Sequence, residues 1–158
     1  MIASGIGSAS MISLGHFYGI GDKQEIRKSG HSNFILVLIL IIISAFIFIV
    51  FRNILPTFYV DDIEVITLAS SLLIIAGLFQ LSDGIQAVGL GILRGIRDTK
   101  IPTLVTFVSY WLIAIPLSYV LGIIMGYGLY GVWVGLSVGL TIAAVFHVIR
   151  FNYLTSSK

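Results

Sequence analysis

Apolar residues are gathered in five long blocks, which short polar or glycine-rich segments separate. Each block is at least about 18 residues long, close to the number that an α-helix needs to cross the hydrocarbon layer of a bilayer. Residues 34–51 are the clearest case, because only Ser44 and Ala45 interrupt a run of Ile, Leu, Val and Phe. The pattern predicts an all-α, polytopic transmembrane helical bundle of about five helices, at approximately 1–20, 34–51, 63–93, 102–124 and 132–149.

Local signals mark the ends and bends of these helices. The charged segment 21–31 and the glycine-rich segment 125–131 are predicted to be loops. Asp98 or Thr99 is a natural N-cap for the fourth helix, because its side-chain oxygen can accept from the first free backbone N–H groups. Pro116 is expected to kink the same helix, since proline has no N–H to donate to the preceding turn.

Composition supports a membrane protein. Hydrophobic residues make up 58% and charged residues 10% of the 158 positions, whereas a soluble domain has roughly 25% charged residues. The chain has too few polar residues to cover the surface of a soluble domain. Residues 1–158 are therefore predicted to form a single membrane domain in contact with lipid. The net charge of +2 comes from short loops and does not indicate nucleic acid. We find no nucleophile triad and no metal-hydrolase motif, and we expect neither an enzyme nor a bound cofactor.

Basic residues are distributed unequally between the segments that join the helices. Three Lys or Arg lie in 21–31, three in 94–100 and two after the fifth helix, against one in 52–62 and none in 125–131. The positive-inside rule therefore places the first two segments and the C-terminus in the cytoplasm. With five spans and a cytoplasmic C-terminus, the N-terminus of the first span lies outside. Because no signal peptide pattern is present, we expect that upstream helices are missing from this chain.

One carboxylate interrupts the third block. Asp83 is the only charged residue between Glu64 and Arg94, which places it near the middle of a hydrocarbon layer about 30 Å thick. A charge there costs at least about 2.5 kcal/mol, so it normally faces a cavity or a partner. Gln80 and Gln86 lie three residues to either side, and we expect them on the same helix face. A cation or proton site is the functional interpretation, and a structural hydrogen-bonding acid is the alternative.

Two segments carry motifs of a known family. Residues 10–33, SMISLGHFYGIGDKQEIRKSGHSN, are similar to a segment that reads V-G-H-x-x-G-x-x-D followed by basic residues. Residues 78–122 contain Q-x-x-D-x-x-Q, G-x-L-R-G-x-x-D and Y-W-x-x-x-x-P. In this order and spacing they resemble the eighth, tenth and eleventh helices of the MATE family (multidrug and toxic compound extrusion transporters), especially its NorM-like branch.

The resemblance implies twelve helices in two six-helix lobes around a central cleft. This chain would supply helices eight to twelve, which is the C-terminal lobe without its first helix, and its partners would be the missing N-terminal helices. The family exports cationic or amphipathic drugs across the cytoplasmic membrane in exchange for Na⁺ or H⁺. Asp83 would bind the coupling cation, as a metal site only if that cation is Na⁺. Phe79 stands where the family often has Tyr, so a cation–π face is kept without the hydroxyl.

For the other polar and aromatic residues, a role in binding and a purely structural role are both possible interpretations. Gln80 and Gln86 are candidates for cation or substrate ligands. The alternative is that they form hydrogen bonds that hold helices together. Trp111 and Tyr110 are candidates for the substrate cleft, although aromatic residues in a helix bundle more often pack. Arg94 and Asp98 are expected to form a structural latch at the cytoplasmic end.

The three histidines form no metal-site pattern. His16 is a candidate for a proton relay, although a lone histidine near a helix end is more often a structural hydrogen-bonding residue. His31 and His147 have no partners that the sequence reveals.

Two other functions stay open beside cation-coupled multidrug efflux. The first is export of lipid or polysaccharide by a related fold, although such exporters tend to have basic residues in the cavity, whereas the predicted spans hold no Lys or Arg and, apart from Glu64 at the start of the third, one acid. The second is a membrane fragment that does not transport by itself and packs with a separate N-terminal half.

Overall fold

Five long helices form nearly all of residues 2–156, the part of the chain that the computed structural model describes. They are α1 (Ile2–Ile20), α2 (Lys23–Val50), α3 (Ile63–Gly95), α4 (Lys100–Ile124) and α5 (Gly128–Ser156). A 3₁₀ turn at Leu55–Phe58 lies between α2 and α3, and no strand occurs in the described range. The all-α prediction is confirmed. The predicted helix start at Met1 and the charge of Lys158 lie outside the described residues.

Four of the five helices, α2 to α5, are long and apolar enough to cross a membrane by length and composition. The first predicted span does form a helix, but α1 is not among these four. The crossing by residues 1–20 therefore stays a prediction, while the multi-pass character of the chain rests on the other four helices.

The segment 21–31, predicted to be a loop, is mostly helical. The α2 helix begins at Lys23, where the Asp22 side chain caps it by accepting from the Glu25 backbone N–H at 3.0 Å. Ile26 and Gly30 are buried in the bundle, with Gly30 against the ring of Phe151. Polarity in this segment marks the expected membrane boundary rather than the end of the helix, because hydrogen bonding continues past the apolar block.

The glycine-rich segment 125–131 is also shorter as a loop than predicted. α5 already begins at Gly128, whose φ is +56°, and Gly126 before it has a φ of +73°. Such left-handed backbone favours glycine, so these two residues allow the tight turn between α4 and α5.

The α3 helix lies at the centre of the bundle and packs against α1, α2 and α5. Val88, Ile92 and Leu93 of α3 are fully buried. Leu14 of α1 and Phe151 of α5 belong to the same core. The outward surface is apolar as well, and α2 in particular exposes isoleucine and phenylalanine side chains. An apolar outer surface around an apolar core is typical of a protein whose solvent is lipid.

Pro116 of α4 is accommodated by a change in the hydrogen-bonding pattern of the helix on both sides. Ser109–Ala114 and Val120–Ile124 are π-helical, and Ile115–Tyr119 between them is α-helical. The Ile115 N–H donates to the Tyr110 carbonyl, five residues back, instead of four. Pro116 follows directly and donates no such bond. The structure thus describes an irregular helix where the sequence predicts a kink.

Basic residues gather at one end of the bundle, where α1 meets α2, α3 meets α4, and α5 ends. We call this the basic end, and its described members are Lys23, Arg27, Lys28, Arg94, Arg97, Lys100 and Arg150. The opposite end has Arg52 beside Asp61, Asp62 and Glu64.

This asymmetry predicts that the basic end lies in the cytoplasm. In a protein whose only cysteine is the introduced one, Asp61→Cys and Tyr127→Cys should react with an impermeant thiol reagent added outside the cell. Gln24→Cys and Lys100→Cys should react only after the membrane is permeabilised. All four positions are exposed, and none has a left-handed backbone. The opposite labelling pattern would overturn this orientation.

Candidate functional site

The Asp83 side chain is exposed at a groove between α1 and α3. This α1–α3 groove has a volume of about 360 Å³. Its polar lining includes Ser4, Ser8, Asp83, Gln86 and Arg94. Asp83 is about 18 Å from the end of α3 at Gly95, at a rise of about 1.5 Å per residue. The acid therefore opens into a polar groove partway along α3.

Glycines bring the two walls of the groove together. A Cβ added to Gly7 of α1 would lie 2.8 Å from the Ala87 carbonyl oxygen, and one added to Gly95 of α3 would lie 2.8 Å from the Met11 oxygen. Gly91 of α3 faces the backbone of Gly7 in the same way. Such close approach of two helix backbones requires residues without a side chain. The backbone contact fixes the distance between Asp83 and the serines of α1.

The two glutamines beside Asp83 point in different directions. Gln86 is 8% exposed and lines the groove. Gln80 instead accepts a hydrogen bond from Ser44 of α2 at 2.9 Å. The expectation that both share a face with Asp83 is wrong for Gln80. Residues six apart in an α-helix are separated by about 120° around its axis, so a single narrow groove takes only one of them.

Phe79 packs toward α5 rather than toward α1. Its ring meets the edge of Trp133 with centroids 5.6 Å apart. It also lines a separate cavity between α3 and α5 of about 400 Å³. Near that cavity Ser82 and Thr141 share a hydrogen bond of 2.8 Å. Phe79 does not line the α1–α3 groove, so the structure does not bring its ring to the groove wall beside Asp83.

Tyr110 and Trp111 lie in the first π-helical segment of α4 and have different surroundings. Tyr110 is half-buried. Trp111 is 61% exposed, and its ring stacks on Phe107 with centroids 6.0 Å apart. Neither of these two candidates for a substrate cleft lines the α1–α3 groove.

The latch at the basic end has a different partner from the one expected. Arg150 of α5 donates from Nε to Asp98 Oδ2 at 2.8 Å. Arg94 lines the α1–α3 groove instead. The backbone turns at Arg97, whose φ is +63°, and this turn directs Asp98 toward α5. Thr99 occupies the N-cap of α4 without a side-chain hydrogen bond.

The structure gives His31 and His147 partners that the sequence does not reveal. His31 bridges the Arg27 carbonyl at 2.7 Å and Asn152 at 3.0 Å. His147 is fully buried, and its Nε2 lies 3.4 Å from the Thr106 hydroxyl. His16 is exposed beside Phe17. Asn152 is 121 positions from His31, and no sequence pattern connects residues so far apart.

Within residues 2–156, no group of three His, Cys, Asp or Glu side chains is placed to hold a metal ion. Asp83 is therefore a single carboxylate among neutral oxygens and a distant arginine. A lone carboxylate differs from the multi-carboxylate sites of divalent cations.

The chain is similar in sequence to proteins named as multidrug resistance proteins. The model of the MatE family matches residues 1–120. Multidrug resistance protein MdtK of Yersinia pseudotuberculosis serotype O:1b (strain IP 31758) is 35% identical over 158 residues, which are 98% of this chain and 35% of that protein. Probable multidrug resistance protein NorM of Xylella fastidiosa (strain 9a5c) is 35% identical over 155 residues, 98% of this chain and 33% of that protein.

Solved structures of similar fold are transporters. The crystal structure of the eukaryotic MATE transporter AtDTX14 matches 94% of this chain and 33% of its own, with a TM-score of 0.89 and 22% identity. An inward-facing multidrug resistance MATE family transporter of the MOP superfamily matches 95% of this chain and 35% of its own, with a TM-score of 0.82 and 16% identity. The chain spans about a third of the length of the relatives it matches.

Proposed function

We propose, since this chain belongs to the MatE family of membrane transporters, that it forms the C-terminal part of a multidrug exporter of the cytoplasmic membrane. Its C-terminus would then lie in the cytoplasm. Relatives at 35% identity over nearly the whole chain are named multidrug resistance proteins. The observation that carries the proposal is Asp83, a lone acid deep in a membrane helix that opens into the polar α1–α3 groove.

Asp83 is proposed to bind the coupling cation, Na⁺ or H⁺. One carboxylate balances one monovalent charge, and Gln86 and Ser8 offer neutral oxygens on the same groove. The Ser8 hydroxyl already donates its hydrogen to the Ser4 carbonyl at 3.0 Å. The lone pairs of its oxygen therefore remain available to a cation. The backbone of Arg94 lies about 16 Å further along α3, at about 1.5 Å per residue, and the ion pairs of residues 2–156 do not include one between Arg94 and Asp83.

Coupling follows from the cost of the charge. An ionised carboxylate is tolerated where the groove is wet, and it is costly where helices close over it. Neutralisation by Na⁺ or H⁺ removes that cost and shifts the balance between groove-open and groove-closed arrangements. Drug release in one arrangement and cation release in the other would give exchange of the two.

The test is drug efflux from proteoliposomes that contain the complete transporter. An imposed Na⁺ or H⁺ gradient should drive export of a cationic dye, and collapse of that gradient with an ionophore should stop it. The isolated chain, reconstituted in the same way, should give no efflux, because it spans about a third of its relatives' length. Efflux by the complete transporter that is insensitive to both gradients would contradict cation coupling.

A further inference from the structure

A cavity of about 400 Å³ opens at the basic end, apart from the α1–α3 groove. It lies where α1 ends, α2 begins, α3 turns into α4 and α5 ends. Its polar lining includes Tyr18, Lys23, Arg97, Asp98 and Arg150. Its apolar lining consists of Ile26, Ile96 and Leu154. We call it the basic cavity.

The basic cavity has an excess of two positive charges. Asp98 accepts from Arg150 at 2.8 Å, so these two charges balance each other. Among residues 2–156 the other ion pair joins Lys28 to Glu25. Lys23 and Arg97 take part in neither pair. An excess of cationic side chains around a concave space attracts an anion.

Arg97 stands where the backbone favours glycine. Its N–H donates to the Arg94 carbonyl at 3.1 Å, and the Asp98 N–H donates to the Leu93 carbonyl at 2.9 Å. These two bonds are the Schellman ending of a helix, whose left-handed residue is usually glycine. The corresponding turn after α1 has Gly21, with a φ of +76°. An arginine with a φ of +63° is strained, so the turn alone does not explain it.

The Arg97 guanidinium is positioned over the Tyr18 ring, 5.9 Å from its centroid. A cation–π contact of this kind directs the planar donor group along the cavity wall. Guanidinium donors match the geometry of phosphate oxygens, and the lysine of the same cavity adds a point charge. The strained arginine is therefore held in a position suited to bind an anionic oxygen group.

We propose that the basic cavity binds the phosphate of an anionic phospholipid of the cytoplasmic leaflet. Basic cavities between membrane helices on the cytoplasmic side are suited to such headgroups. The apolar side chains Ile26, Ile96 and Leu154 provide a surface for the glycerol and the first acyl carbons. This site is independent of Asp83 and of the cation that the transporter uses.

The experiment measures lipid binding to the complete, delipidated transporter by native mass spectrometry with phosphatidylglycerol. The double variant Lys23→Gln/Arg97→Gln should weaken binding about 25-fold, at about fivefold for each charge near the membrane surface. Glutamine at 97 keeps a non-glycine residue in the strained turn, so the backbone is unchanged. The matched control Arg27→Gln/Lys100→Gln removes two exposed charges of the same end that do not line the cavity, and should bind as the wild type does.

A second pair of variants tests the proposal if the double variant at Lys23 and Arg97 does not fold. Thr155 lines the cavity, and Thr155→Glu should abolish phosphatidylglycerol binding while Thr155→Gln retains it. Equal losses in the cavity and control double variants would overturn the proposal, as would equal binding by Thr155→Glu and Thr155→Gln. Binding of phosphatidylcholine as tight as that of phosphatidylglycerol would also overturn it. Inorganic phosphate that binds as tightly as the lipid would show a site for free anions instead.

Discussion

Replacement of Asp83 by asparagine is expected to collapse ion-driven drug efflux by the complete transporter while the protein still reaches the membrane. Asparagine keeps the shape and one hydrogen-bonding oxygen, but it carries no charge that a cation could balance. Binding of Na⁺ or H⁺ would then no longer favour one arrangement of the helices over the other. Coupling free energies of typical size correspond to about 5- to 150-fold, so a loss of this order is expected.

The measurement is efflux from proteoliposomes under an imposed gradient, with membrane protein quantified in parallel. Asp83→Glu should keep part of the activity, since the charge survives and moves by about one methylene. Asp61→Asn removes an exposed acid at the other end of the bundle and serves as the control with unchanged efflux. Wild-type efflux by Asp83→Asn would exclude the coupling role. Loss of folded protein would instead favour a structural acid.

Replacement of Gly91 by alanine is expected to separate α1 from α3 and to lower the yield of folded transporter. The added Cβ would lie 2.7 Å from the carbonyl carbon and 2.9 Å from the Cα of Gly7. Backbone atoms cannot move aside as a flexible side chain does, so the helices must shift. Overpacking of this kind costs about 1–3 kcal/mol, which is a large part of the stability of a typical domain.

Gly5→Ala is the matched control for this substitution. An added Cβ at Gly5 meets no atom within 4 Å, and alanine raises helix stability there by up to about 1 kcal/mol. The two variants should therefore shift the thermal midpoint in detergent in opposite directions. A Gly91→Ala protein with an unchanged midpoint and yield would show that the α1–α3 contact is not a tight constraint.

The helical class and the position of Asp83 could be predicted from the sequence because both depend on local composition. An apolar block predicts a helix in lipid wherever it occurs, and a single acid in such a block stands out. The beginning of α2 at Lys23 could not be predicted in this way. Its first turns are polar, and the helix is maintained there by the Asp22 cap and by burial of Ile26 and Gly30.

Partners between helices could not be predicted because they depend on how each helix is rotated about its axis. Gln80 and Gln86 have equal spacing from Asp83, yet one bonds Ser44 of α2 and the other lines the α1–α3 groove. The choice of Arg150 as the partner of Asp98 depends on the turn at Arg97. Motif spacing within one helix contains no information on either contact.

The two π-helical segments of α4 allow this helix to gain or lose a residue more easily than a regular α-helix does. A π-helical bond joins residue i to i+5, one residue more than an α-helical bond. Deletion of one residue within Ser109–Ala114 would therefore let this turn return to α-helical bonding without breaking the helix on either side. The side chains after the deletion would keep nearly the same direction, because the extra residue is taken from the wide turn itself. Evolution can thus vary this helix by insertion and deletion as well as by substitution.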